Sequence, residues 1–164
     1  MAEQILYDYE HSSGPVFTIA VPYARLTDTT PMAGNPCELA SLLEGTHICG
    51  TVLSTDADDS IAIVNVAPCF IGNWQVRNVL TYAQGAEATF TAINVGDPVY
   101  YDSSSTMPAG VYLSMSPLDE DGDPNPRFGH IATITSEAAA LYPKGTVTAS
   151  TEDCQVMQHG AAGV

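Results

Sequence analysis

Gly34-Asn35-Pro36-Cys37 and, further along the chain, Gly96-Asp97-Pro98-Val99 read alike. Each is followed at a distance by a β-like run broken by glycine. The first run is His47-Ile48-Cys49-Gly50-Thr51-Val52 and the second is Phe128-Gly129-His130-Ile131-Ala132-Thr133. A further apolar or β-branched run follows each, Ile61-Ala62-Ile63-Val64-Asn65-Val66 and then Gly145-Thr146-Val147-Thr148. Gly-Asn-Pro and Gly-Asp-Pro are also common turn tripeptides, so spacing alone does not prove a repeat. A turn, a strand, a glycine-marked strand and another strand, written twice, predict a compact β unit with pseudo-repeats over 34–72 and 96–158.

At 164 residues the chain is expected to form one domain with a real core. Hydrophobic residues make up 45 % of it, yet no uncharged apolar run approaches the ~20 residues of a membrane helix. The start, Met-Ala-Glu-Gln-Ile-Leu-Tyr-Asp-Tyr-Glu, is acidic and lacks the basic and apolar blocks of a secretory signal. The protein is therefore expected to stay in the compartment where it is made.

Four basic residues, Arg25, Arg77, Arg127 and Lys144, face nineteen acidic ones, for a net charge of −15. Nucleic acid and anionic membranes are not expected as partners, because both need clustered Lys and Arg to replace counterions. The charge serves solubility and self-avoidance, or suits an outward-facing coat protein or one that docks on a basic surface. Cys37, Cys49, Cys69 and Cys154 form no C-x-x-C pair and no zinc-like spacing. An even count permits two disulfides, but without a signal sequence buried free thiols are expected.

Residues 1–15 read as an extended arm in which Ile5, Leu6, Tyr7 and Tyr9 alternate with Glu3, Asp8 and Glu10. Such an arm has nothing of its own to pack on, so these four side chains are the candidate interface. A single β domain over 16–159 follows, with a frayed tail at 160–164. Residues 16–21 read as a short strand, ended by Pro22. The segment from Pro36 to Gly45 is ambiguous: Asn35, Pro36 and Glu38 suit a helix start, whereas the parallel with Val99-Tyr100-Tyr101 favours strand, the reading adopted. His47–Ser54 and Ser60–Ile71 read as a hairpin around an acidic turn. Trp74, Val76 and Leu80 are expected on one strand face, with further strands at 87–93, 99–101, 111–113 and 128–135. One helical turn is expected at 136–141, and a long acidic loop with three prolines at 116–127. Short strands among 13 Gly and 11 Pro predict an all-β fold, barrel or sandwich.

Asp119-Glu120-Asp121-Gly122-Asp123-Pro124-Asn125 offers carboxylates of the kind calcium requires. Its glycine falls one residue early for a calcium loop, and no bidentate Glu closes it, so a solvated acidic loop is expected there and at Asp56, Asp58 and Asp59. His11, His47, His130 and His159 are scattered, with no H-x-x-x-H pair. No G-x-S-x-G elbow, P-loop or G-x-G-x-x-G is present, so no catalytic, cofactor or metal residue is assigned. Trp74, Tyr100, Tyr101 and Tyr112 suit either a sugar-stacking platform or, by default, a β core.

The order of these pieces resembles a family of small tailed-bacteriophage head proteins, long catalogued as a domain of unknown function and understood as capsid cement or decoration proteins. The similar elements begin with a Tyr-containing arm leading to Gly14 and the run ending Val21-Pro22. Gly34-Asn35-Pro36 and Gly50-Thr51-Val52-Leu53-Ser54-Thr55-Asp56-Ala57 come next, then the 61–69 run. Asn94-Val95-Gly96-Asp97-Pro98-Val99-Tyr100-Tyr101-Asp102 is the most specific match, and Phe128-Gly129-His130-Ile131-Ala132 and a terminal β segment complete it. The resemblance implies a compact β-barrel or β-tulip-like domain on the outside of an icosahedral head, often trimeric, without catalysis or cofactor. It implies the major capsid protein and further copies of the chain as partners, and the virion exterior as location after synthesis in the host cytoplasm. Segments 74–92 and 116–127 are longer than the family pattern, and such insertions suit a second role such as receptor or glycan contact. The rival from another class is a glycan- or calcium-binding surface module, and a third is a hydrolytic enzyme.

Overall fold

A computed structural model describes residues 17–39, 47–82, 88–134 and 149–160. The arm with Ile5, Leu6, Tyr7 and Tyr9, the helical turn expected at 136–141 and the run at 145–148 lie outside the described residues. The fold is all-β. Strands β1 (Thr18–Pro22), β2 (Pro36–Leu39), β3 (Ile48–Asp56) and β4 (Ile61–Asn65) form a four-stranded sheet in the order β1-β4-β3-β2. Strands β5 (Phe70–Arg77), β8 (Pro98–Tyr101), β9 (Leu113–Ser114), β10 (Arg127–Ile134) and β11 (Thr151–Gln158) close into a barrel in the order β10-β11-β5-β9-β8. A separate ribbon pairs β6 (Val79–Thr81) with β7 (Thr89–Phe90).

The two glycine turns sit at the same place in the two sheets. Gly34 and Gly96 have φ of +92° and +90°, as the third position of a type II turn demands. The turns close through Asn35 N–H to Met32 O at 3.1 Å and Asp97 N–H to Asn94 O at 3.1 Å. A proline then opens a four-residue strand in each case, β2 and β8. Cys37 faces Gly50 across β2–β3, and Val99 faces Gly129 across β8–β10. Gly34 N–H and Asn35 O exchange bonds with Val52, as Gly96 N–H and Asp97 O do with Ile131. Even the bulges match, between Val52 and Ser54 against β4 and between Ile131 and Thr133 against β11. The likeness takes in the flanking strands as well, because β1-β4-β3-β2 has the same order and pairing sense as β5-β11-β10-β8. The second unit differs by its insertions: the β6–β7 ribbon, and β9, which pairs with both β5 and β8 and so closes the barrel.

Each unit has its own core. Val76, Val99, Tyr101, Leu113, Phe128, Ile131 and Val156 fill the barrel, while Val21, Leu26, Val52, Ala62 and Val64 pack beneath the sheet. Burying side chains of this size contributes roughly 1.5–3 kcal/mol each. β11 shows how the sequence does this: Glu152, Cys154, Val156 and Gln158 turn inward and alternate with more exposed residues. Cys37 and Cys49 lie on adjacent strands but join different cores, Cys37 that of the sheet and Cys49 that of the barrel.

Several boundaries differ from the sequence expectations. Pro36–Leu39 is strand, as the parallel with the second turn suggested, and 40–46 lie outside the described residues. The run 60–71 is not one strand: β4 stops at Asn65 and β5 begins at Phe70, with Cys69 between them at φ +64°. Trp74, Val76 and Leu80 do not share a face, because the chain breaks at buried Asn78 and leaves Leu80 exposed. The strands expected at 87–93 and 111–113 shrink to Thr89–Phe90 and Leu113–Ser114. Gly160 is buried rather than frayed.

Candidate functional site

The acidic loops are closed on their own backbone. In the 116–127 loop, Asp119 Oδ1 accepts the N–H groups of Asp121 and Asp123 at 2.9 and 2.8 Å. Asp119 N–H donates to Asp123 O at 2.8 Å, and a bridge between Leu118 and Pro124 pins the base of the loop. Beneath it, Asn125 Nδ2 donates to Ser116 O at 3.1 Å and Ser116 Oγ to Leu118 O at 2.6 Å. Glu120 folds away to accept Ser105 N–H at 2.8 Å, and the bonds from Ser105 hold its carboxyl below the ordinary value. The 55–59 turn repeats the device, with Asp56 Oδ1 accepting from Asp58 and Asp59 N–H at 3.1 and 3.2 Å. In both loops one carboxylate oxygen accepts the amides two to four residues on, which is the geometry of an Asx-type turn.

Asp102 is a buried carboxylate of the barrel. It accepts Tyr82 O–H at 2.5 Å, Ser114 Oγ–H at 2.6 Å and Ser104 N–H at 3.0 Å. Burial first, and then the bond to Asp102, pushes the Tyr82 phenol well above its ordinary value. The arrangement fixes the loop after β8 to β9 and to Tyr82. Among the described residues the imidazole contacts run instead to Glu38, which His47 meets at the sheet edge with Thr27 Oγ1 as its second partner, and between His130 and His159. Sequence reasoning left His130 and His159 apart; the β10–β11 pairing brings Nδ1 of one to 2.9 Å from Nε2 of the other. No spacing signal could have found the pair, since its members are 29 residues apart. Among the described residues no group of three or more His, Cys, Asp or Glu side chains is placed to hold a metal.

Of the four platform candidates, Tyr101 is in the barrel core, Trp74 and Tyr112 pack against it, and Tyr100 is partly buried. Trp74 lies over Gly72, meets the Phe128 ring edge-on at 5.2 Å and donates its indole N–H to Gly34 O at 2.9 Å. It ties the sheet's glycine turn to the barrel. Tyr101 is buried and stacks on Tyr112 at 6.4 Å, and Tyr112 O–H accepts from Asn35 Nδ2 at 3.3 Å. Of the thiols, Cys37, Cys49 and Cys154 are buried as expected, but Cys69 is exposed, because it occupies the turn between the two units. No described helix is long and apolar enough to cross a membrane. No family model, curated protein or solved structure matches this chain.

Proposed function

We propose that this chain is a structural virion protein without catalytic activity, a decoration or cement protein that binds the outside of a tailed-phage icosahedral head and stabilises it. The observation that carries the reading is the point where the chain enters the fold. Strand β1 is an edge of the sheet. Just before it, Phe17 is 65 % exposed while its backbone is bonded on both sides, N–H to Asn65 Oδ1 at 3.2 Å and C=O from Val66 N–H at 2.8 Å. The bonded edge thus holds an apolar residue eight positions after Tyr9, the last of the four arm side chains Ile5, Leu6, Tyr7 and Tyr9. The partners are the major capsid protein and further copies of this chain, as a trimer, with no cofactor, nucleic acid or membrane. Acidic loops locked by their own amides suit a protein that presents shape and charge rather than one that takes up calcium.

Burying the arm side chains contributes roughly 1.5–3 kcal/mol each before ordering costs, which cancel a good part. Deleting residues 2–12 is expected to leave the β body folded, by circular dichroism and thermal melt, and to weaken co-sedimentation with undecorated heads. Full attachment of the truncated protein would transfer docking to the body. No association of the intact chain with heads, by sedimentation or electron cryomicroscopy, would overturn the reading.

A further inference from the structure

We propose that His130 and His159 form a two-imidazole site for a divalent transition-metal ion, with copper(II) or nickel(II) the best match. His130 lies on the outer face of β10, and His159 follows directly on β11; both are half-buried. Their nitrogens, His130 Nδ1 and His159 Nε2, stand 2.9 Å apart with the rings tilted by 56°. Two metal–imidazole bonds of about 2.0–2.1 Å meeting at a right angle place their nitrogens about 2.9 Å apart. That is the cis geometry of tetragonal copper(II) and nickel(II), and imidazole suits both.

The surroundings are built rather than accidental. A Cβ on Gly129 would stand 2.0 Å from Met157 O, so only glycine lets β10 approach β11 this closely beside the two rings. His159 is held by its N–H to Phe128 O at 2.9 Å. Met157 lies directly opposite His130 in the register, and its thioether is the candidate for the weak axial ligand that copper sites use. Arg127, whose Nε donates to Gly129 O at 3.0 Å, is the nearby cation and limits the affinity.

Isothermal calorimetry of the full chain with copper(II), nickel(II) and zinc(II) chlorides tests this. One equivalent of copper(II) or nickel(II) is expected to bind the wild type, with a copper visible-absorption band typical of nitrogen ligation. Both signals are expected to vanish in H130Q/H159Q and to persist in H47Q. A melt and circular dichroism check the fold of each variant, and H159Q alone serves where the double variant does not fold. Binding retained by the folded His130/His159 variants, binding lost in H47Q, or no saturable binding to the wild type would overturn the site.

Discussion

The side chain of Gln158 reaches from the end of the barrel strand β11 into the sheet. Fully buried, it accepts Thr51 Oγ1–H at 2.7 Å and donates from Nε2 to the carbonyls of Asn65 and Ala67 at 3.0 and 2.9 Å. Gln158→Leu would leave two carbonyls and a hydroxyl short of partners, at about 1–3 kcal/mol for each group left unmatched. The expected loss is at least about 3 kcal/mol in urea unfolding, and Thr51→Val, which removes one bond, should cost nearer 1 kcal/mol. A Gln158→Leu protein as stable as the parent would mean that apolar contact alone holds the junction. Cysteine chemistry is also decided residue by residue. Burial pushes the Cys37 thiol up to about 12 and Cys49 in the same direction, whereas Cys69 is exposed. Ellman's reagent should therefore titrate one thiol in the native protein and all four in denaturant. Because the folded value of Cys37 is raised, its contribution to stability is complete below the ordinary thiol value of 9.0. It is lost as pH rises through about 12, so alkaline melts should fall over that window.

At the scale of elements, the paired turns offer a controlled comparison. At Gly34 and Gly96 an added Cβ meets nothing within 4 Å, so only the positive φ opposes a side chain. Gly34→Ala and Gly96→Ala should each lose about 1–2 kcal/mol, the cost of left-handed backbone for an L-residue. The two turns share no partner, so the double variant should show the sum. A large difference between the two would mean that the turns, alike in geometry, differ in how far the rest of the fold depends on them. These turns were legible in the sequence because glycine and proline act locally. The limits of β5, β7 and β9 were not, because β9 pairs with β5 in parallel and with β8 in antiparallel fashion, and nothing in a two-residue strand announces either neighbour.

For the whole molecule, charge and docking pull against each other. A net −15 repels neighbouring copies, and screening reduces this beyond roughly 8–10 Å at ordinary salt. If a basic capsid surface recruits the protein, retention on heads should fall steadily from low to molar salt in co-sedimentation. Retention that does not change would assign docking to apolar contacts and leave the charge to solubility. Some of the carboxylates are structural: Asp56, Asp102 and Asp119 all hold backbone amides. Composition alone could not distinguish such structural acids from metal ligands.

The all-β class, the two glycine turns and the acidic hairpin followed from the sequence by itself. Each depends on residues within a few positions of one another: glycine at positive φ, proline opening a strand, β-branched runs on either side. Tertiary structure alone decided the rest. It closed one unit into a barrel with β9 while the other stayed an open sheet, set Trp74 edge-on against Phe128, and set His130 beside His159. Those outcomes depend on pairing between residues far apart in the chain, whose register is fixed by which faces are buried, and no local pattern carries that information.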